Sequence, residues 1–190
     1  LMGLLFYAWI AMTNSGFRAF SVSTLNQLYQ TPLGEASLVL SAYLIGTPIG
    51  VLAGGVAADR ITRHDLVAAG CFAGAAACIF AVAAFDPPLA AIGALFAAAG
   101  FCTGFVGPQR DMMIRDMAPP GQMGKVFGFV TTGFNVGGVI APVLFGWLLD
   151  YTSPRNVFWA TGAVALLTVA TVLATGIERE RARGRAYRGS

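Results

Sequence analysis

The sequence predicts an all-α integral membrane protein, a bundle of six transmembrane helices. Three observations carry that prediction. Mean hydropathy is +0.69, and charged residues make up 11 % of the 190, against about 25 % in soluble domains. Six apolar windows are each long enough to cross about 30 Å of hydrocarbon, which takes roughly 20 helical residues. Short breaks of proline, glycine and charge separate most of them. The strands of a β-barrel would alternate over about 10 residues, and these runs are twice that length without alternation.

The first span is expected from Leu4 to Leu28, ending at Thr31-Pro32-Leu33-Gly34. The second runs from Glu35 to Ala58. Its Gly46, Gly50 and Gly54 share one helix face, where a neighbouring backbone can come close. The turn Gly55–His64 follows and is dense in charge for so greasy a chain. The third span covers Leu66 to Phe85 and stops at Asp86-Pro87-Pro88. The fourth, Leu89 to Gln109, precedes a charged run and Ala118-Pro119-Pro120-Gly121. The fifth, Val126 to Leu149, carries Gly133, Gly137, Gly138 and Pro142, which allow close packing or bending. Thr152-Ser153-Pro154 leads to the sixth, Val157 to Ile177. The six-span unit is therefore 1–178, and 179–190 is a basic tail, read as a disordered topology anchor, with contact to anionic lipid heads as the alternative. Cys71, Cys78 and Cys102 lie in apolar runs, build no disulfide framework and read as small core residues.

Charge orients the bundle. Arg60 and Arg63 lie in the second–third loop, and Arg110, Arg115 and Lys125 in the fourth–fifth loop. Five further arginines lie in the tail. Ten of the 12 cations thus fall on one side. The positive-inside rule makes that side, and both chain ends, cytoplasmic. Arginine greatly outnumbers lysine, which points to a GC-rich bacterial source and to the bacterial cytoplasmic membrane. The chain opens inside an apolar segment, so further sequence is expected upstream.

Arg18 is the sharpest candidate for chemistry. It lies about ten residues, roughly 15 Å at the helical rise, from the outer end of the first span. An arginine at mid-depth costs about 2.5–3.5 kcal/mol, so it should face a cavity or a partner. Asn14, Arg18, Ser21 and Leu25 are spaced for one helix face, and three of the four are polar. A forked guanidinium there suits a carboxylate or phosphate. The alternatives are snorkelling to the outer interface or a structural pair with another part of the protein. No Asp or Glu lies at mid-membrane, so this segment supplies no proton relay. His64 has no ligand cluster around it. No catalytic triad, phosphate loop or dinucleotide glycine loop is present. No enzyme activity, cofactor, metal or nucleic-acid partner is expected.

Gly55-x-x-x-Asp59-Arg60-x-x-Arg63-His64 resembles the cytoplasmic signature of the major facilitator superfamily, which joins the second and third spans of each six-helix half. Thr62 replaces the usual glycine and His64 the second basic residue, a degeneracy more typical of the C-terminal half. Gly124-Lys125-Val126-Phe127-Gly128 and Gly138-x-x-x-Pro142-x-x-x-Gly146-x-x-x-Asp150 add to the similarity. The resemblance implies one half of a twelve-span transporter, assigned to the C-terminal half, with an N-terminal half as the competing assignment. It implies that Tyr43, Thr47, Thr103, Thr131 and Asn135 line a central cavity, with interhelical hydrogen bonding as the plainer role. It implies a cytoplasmic gate of Gly55, Asp59, Arg60, Arg63, Arg110, Asp111, Arg115 and Asp116, with topology marking as the plainer role. The implied partners are a small-molecule substrate, the lipid bilayer and an N-terminal six-helix half. The expected function is secondary transport of an organic anion by alternating access. Hydrophobic drug efflux is one alternative, and a non-transporting six-span sensor or assembly protein is another.

Overall fold

The structure, a computed structural model, describes residues 2–61, 63–117 and 121–188, with side chains omitted at 116–117 and 177–188. Thr62, residues 118–120, the Asp116 carboxylate and the tail side chains lie outside that description. Every regular element among the described residues is helical. The first span is one rod in three parts: α1 (Met2–Ser15), a π-helical turn (Gly16–Phe20) and α2 (Ser21–Tyr29). Five further helices follow: α3 (Leu33–Ala58), α4 (His64–Phe85), α5 (Leu89–Met117), α6 (Met123–Tyr151) and α7 (Arg155–Arg188). Each of these five contains a stretch long and apolar enough to cross a membrane.

Three helices run furthest past the expected spans. α5 carries Pro108 inside it and continues through the charged run to Met117, because no residue between Pro108 and Pro119 breaks a helix. α6 starts at Met123. α7 continues to Arg188, so the tail expected to be disordered is helical. Its Glu, Arg and Ala content explains this, since all three are strong helix formers.

Small residues set the packing. α3 and α5 form the most extensive pair. Gly46, Gly50 and Gly54 face the backbone carbonyls of Ala97, Phe101 and Phe105. In return, Gly100 and Gly104 face the carbonyls of Tyr43 and Thr47. A methyl group at any of these positions would overlap main-chain atoms, so the seam closes only with hydrogen there. Gly133 and Gly137 do the same for α6 against Leu4 and Ala8 of α1. α4 packs on α7 and α5, and α1 on α6 and α7. An aromatic core of Phe17, Tyr43, Phe96 and Phe158 fills the space between the π turn, α3, α5 and α7. The three cysteines are free and partly exposed rather than fully buried.

Candidate functional site

Arg18 stands in the middle of the π turn. A π turn holds more residues than an α turn. One extra residue rotates everything after it by about 100° relative to a straight α-helix. The single face expected for Asn14, Arg18, Ser21 and Leu25 is therefore not kept. Arg18 is exposed and Asn14 half-buried, whereas Ser21 and Leu25 are fully buried. Ser21 Oγ and Thr24 Oγ1 point into the packed interior without a hydrogen-bond partner among the described residues. Gly16 opens the turn, and its missing side chain lets the chain lie against Thr161 of α7. The ion pairs among the described residues leave Arg18 without an acidic partner.

Beside Arg18, one phenol joins three helices. Tyr43 of α3 is fully buried. Its hydroxyl donates to Asn14 Oδ1 of α1 at 3.2 Å and shares a hydrogen bond of 3.0 Å with Thr103 Oγ1 of α5. The ring of Phe17 stacks on it, with centroids 5.2 Å apart and planes 12° apart. Phe17 is met edge-on by Phe96. Arg18 directly follows Phe17 in the π turn. The structure thus brings Asn14, Tyr43 and Thr103 together, with Arg18 at their edge. Thr47 spends its hydroxyl on the Tyr43 carbonyl, at 2.9 Å. Thr131 and Asn135 lie on the exposed face of α6, apart from this node.

At the other end stands the signature turn. Asp59 caps α3 and is exposed, as are Arg60, Arg63, Asp111 and Arg115. Gly55 has open space where a side chain would go. Two ion pairs here are local in sequence. Arg63 lies 3.8 Å from Asp65, and Arg110 lies 2.9 Å from Asp111. Arg110 also sits over the Tyr7 ring, 4.9 Å from its centroid.

The signature loop hides one departure from expectation. His64 is not a loop residue: it opens α4 and is 8 % exposed. Its Nδ1 lies 2.5 Å from Gln109 Oε1. Gln109 is fully buried and donates through Nε2 to the Gly54 carbonyl at 3.0 Å. The only sequence signal for Gln109 is its place as a lone amide at the edge of an apolar span. Among the described residues, no group of three or more His, Cys, Asp or Glu could hold a metal.

A family model described as Major Facilitator Superfamily matches residues 4–189. A peptide transporter of the POT family, solved in complex with sulfate, superposes with a TM-score of 0.80 at 21 % identity. That match covers 92 % of this chain and 37 % of the other. The POT family transporter PepTSo gives 0.79 at 17 % identity, covering 91 % and 36 %. The inward-open xylose transporter XylE from E. coli gives 0.71 at 18 % identity, covering 92 % and 47 %. The chain therefore spans less than half the length of these solved transporters. No curated protein sequence matches.

Proposed function

The chain belongs to the Major Facilitator Superfamily, and from that premise we propose that it is the C-terminal half of a secondary transporter carrying a small organic anion by alternating access. It is a multi-pass membrane protein. The proposed setting is the bacterial cytoplasmic membrane, with both ends of the bundle cytoplasmic. The partner is an N-terminal six-helix half, fused or separate. Its share of the solved transporters' length supports this, and so does the exposed position of Arg18. Without a covering partner that charge would meet lipid, at a cost of about 2.5–3.5 kcal/mol.

One observation carries the anion assignment. A π turn holds Arg18 outward, without a carboxylate partner among the described residues, at the rim of the Asn14–Tyr43–Thr103 node. A planar guanidinium so placed can take a carboxylate or phosphate by two parallel hydrogen bonds. Asn14 and Thr103, the polar partners of Tyr43 in that node, complete the contact. The signature turn serves as the cytoplasmic gate, in which Asp59, Arg60, Arg63, Arg110, Asp111, Arg115 and Asp116 make contacts weak enough to break in each cycle.

The test is a screen of organic anions on the full-length protein in liposomes, run beside Arg18→Ala. Loss of uptake with normal insertion is expected, and unchanged transport kinetics would end the anion reading. Hydrophobic efflux is the second reading. It is favoured by a wholly apolar groove of about 430 Å³ along α6, lined by Val139, Ile140, Val143, Leu144 and Trp147. Transport of uncharged amphiphiles that survives Arg18→Ala would support it.

A further inference from the structure

Gln109 makes two hydrogen bonds, and they go to two different helices. The Gly54 carbonyl can only accept, so the amide must present Nε2 to it. Oε1 then faces His64, and His64 Nδ1 carries the proton. One buried side chain of α5 thereby holds the last turns of α3 and the first residue of α4. The turn from Asp59 to Arg63 is what connects those two helix ends. Its shape depends on where the ends sit.

We propose that Gln109 is a positioning residue for the gate: it pins the signature turn to α5 through Gly54 and His64. This rests on the gate reading above and adds the part that sets it. Two facts make the pin stiff. Gln109 is fully buried, so no water stands ready to replace a lost bond. Gly54 already lies against the Phe105 backbone at the end of the glycine seam. His64, standing where the resemblance leads one to expect an exposed base, becomes the inward anchor of the turn.

Variants separate the two arms. Gln109→Leu removes both. Gln109→Glu keeps an acceptor for His64 and loses the donor to Gly54. His64→Phe does the reverse. The experiment uses the full-length protein in membrane vesicles, with native cysteines replaced by serine and a reporter at Gly55→Cys. The labelling rate by an impermeant maleimide reads the exposure of that end, with thermal stability measured alongside. Asp59→Ala is the reference for the gate itself.

The expected result is a change in labelling rate of about eightfold for Gln109→Leu, the size of losing two interhelical hydrogen bonds in a membrane, and of about threefold for a variant that loses one. Gln109→Glu should move it in the same direction, and it replaces Gln109→Leu if that variant does not insert. If Asp59→Ala shifts labelling and the Gln109 variants do not, the pin is wrong and the gate stands. If none of them shifts labelling, both ideas fall. A melting temperature that falls while labelling stays at the parent rate also overturns the pin, because a merely structural amide would behave that way.

Discussion

Arg155 Nη2 lies 2.6 Å from both carboxylate oxygens of Asp86. Nη1 of the same guanidinium donates to the Ala83 carbonyl at 2.9 Å. The Tyr29 hydroxyl donates to Asp86 Oδ1 at 2.9 Å. The ends of α2, α4 and α7 are thus clamped at one aspartate. Asp86 itself holds a left-handed backbone, φ 45°, which ends α4.

The clamp predicts a pH dependence. The hydrogen bond from Arg155, then that from Tyr29, holds the Asp86 carboxyl below the usual carboxylate range. The Tyr29 phenol is pushed up to about 12, by burial first and by Asp86 second, so it stays a donor throughout. A lowered folded value means stability that is complete above about pH 4 and is lost as the pH falls through the lowered value. The parent should therefore lose melting temperature on acidification below about pH 4, and Asp86→Asn should lose less. At neutral pH the order should be parent, then Asn, then Ala, because asparagine tolerates the left-handed backbone and alanine does not. Parallel acid profiles of parent and Asp86→Asn would contradict the clamp.

The glycine seam predicts opposite signs for two alanine substitutions only five residues apart. At Gly50 a methyl group meets the Phe101 carbonyl, and overpacking of this kind costs roughly 1–3 kcal/mol. At Gly55 the space is open, so Gly55→Ala gains helix propensity, up to about 1 kcal/mol. Thermal unfolding of the two variants in detergent reads the difference directly. Equal melting temperatures would mean that α3 and α5 are not in backbone contact.

Periodicity makes much of this legible in the sequence. Six apolar runs, their proline breaks and the Gly46–Gly50–Gly54 spacing each repeat on a scale that sequence displays. The misses involve partners far apart in the chain. His64 looks like a surface base until Gln109, 45 residues on, is seen to bury it. Asp86 and Arg155 both fall at breaks between apolar runs, but their pairing across 69 residues depends on which helices are neighbours. The π turn was invisible because one extra residue per turn leaves no trace in composition. It moved Ser21 and Leu25 off the face assigned to Arg18.

Tyr43 lies at the node between three helices, and its hydroxyl can be removed cleanly. Tyr43→Phe keeps the stack on Phe17 and deletes the bonds to Asn14 and Thr103. Interhelical hydrogen bonds in membranes average about 0.6 kcal/mol, so stability should change little. Transport of an anion held at Arg18 should change more, because Asn14 and Thr103 lose their common support. The expected outcome is a raised KM at nearly unchanged melting temperature. A melting temperature that drops while KM holds would make the node purely structural.

Deleting Ala19 tests the π turn directly. The deletion takes one residue from Gly16–Phe20 and lets the rod continue as an ordinary α-helix. α2 keeps its packing through Leu25, and α1 keeps its own against Gly133 and Gly137. The difference falls on Arg18, which turns by about 100° relative to one flank. The protein should insert and melt close to the parent, since the strained feature is gone and both flanks remain seated. Anion transport should fall as far as in Arg18→Ala, although the arginine is still present. Transport at the parent level would show that the direction of Arg18, and with it the π turn, has no part in handling the substrate.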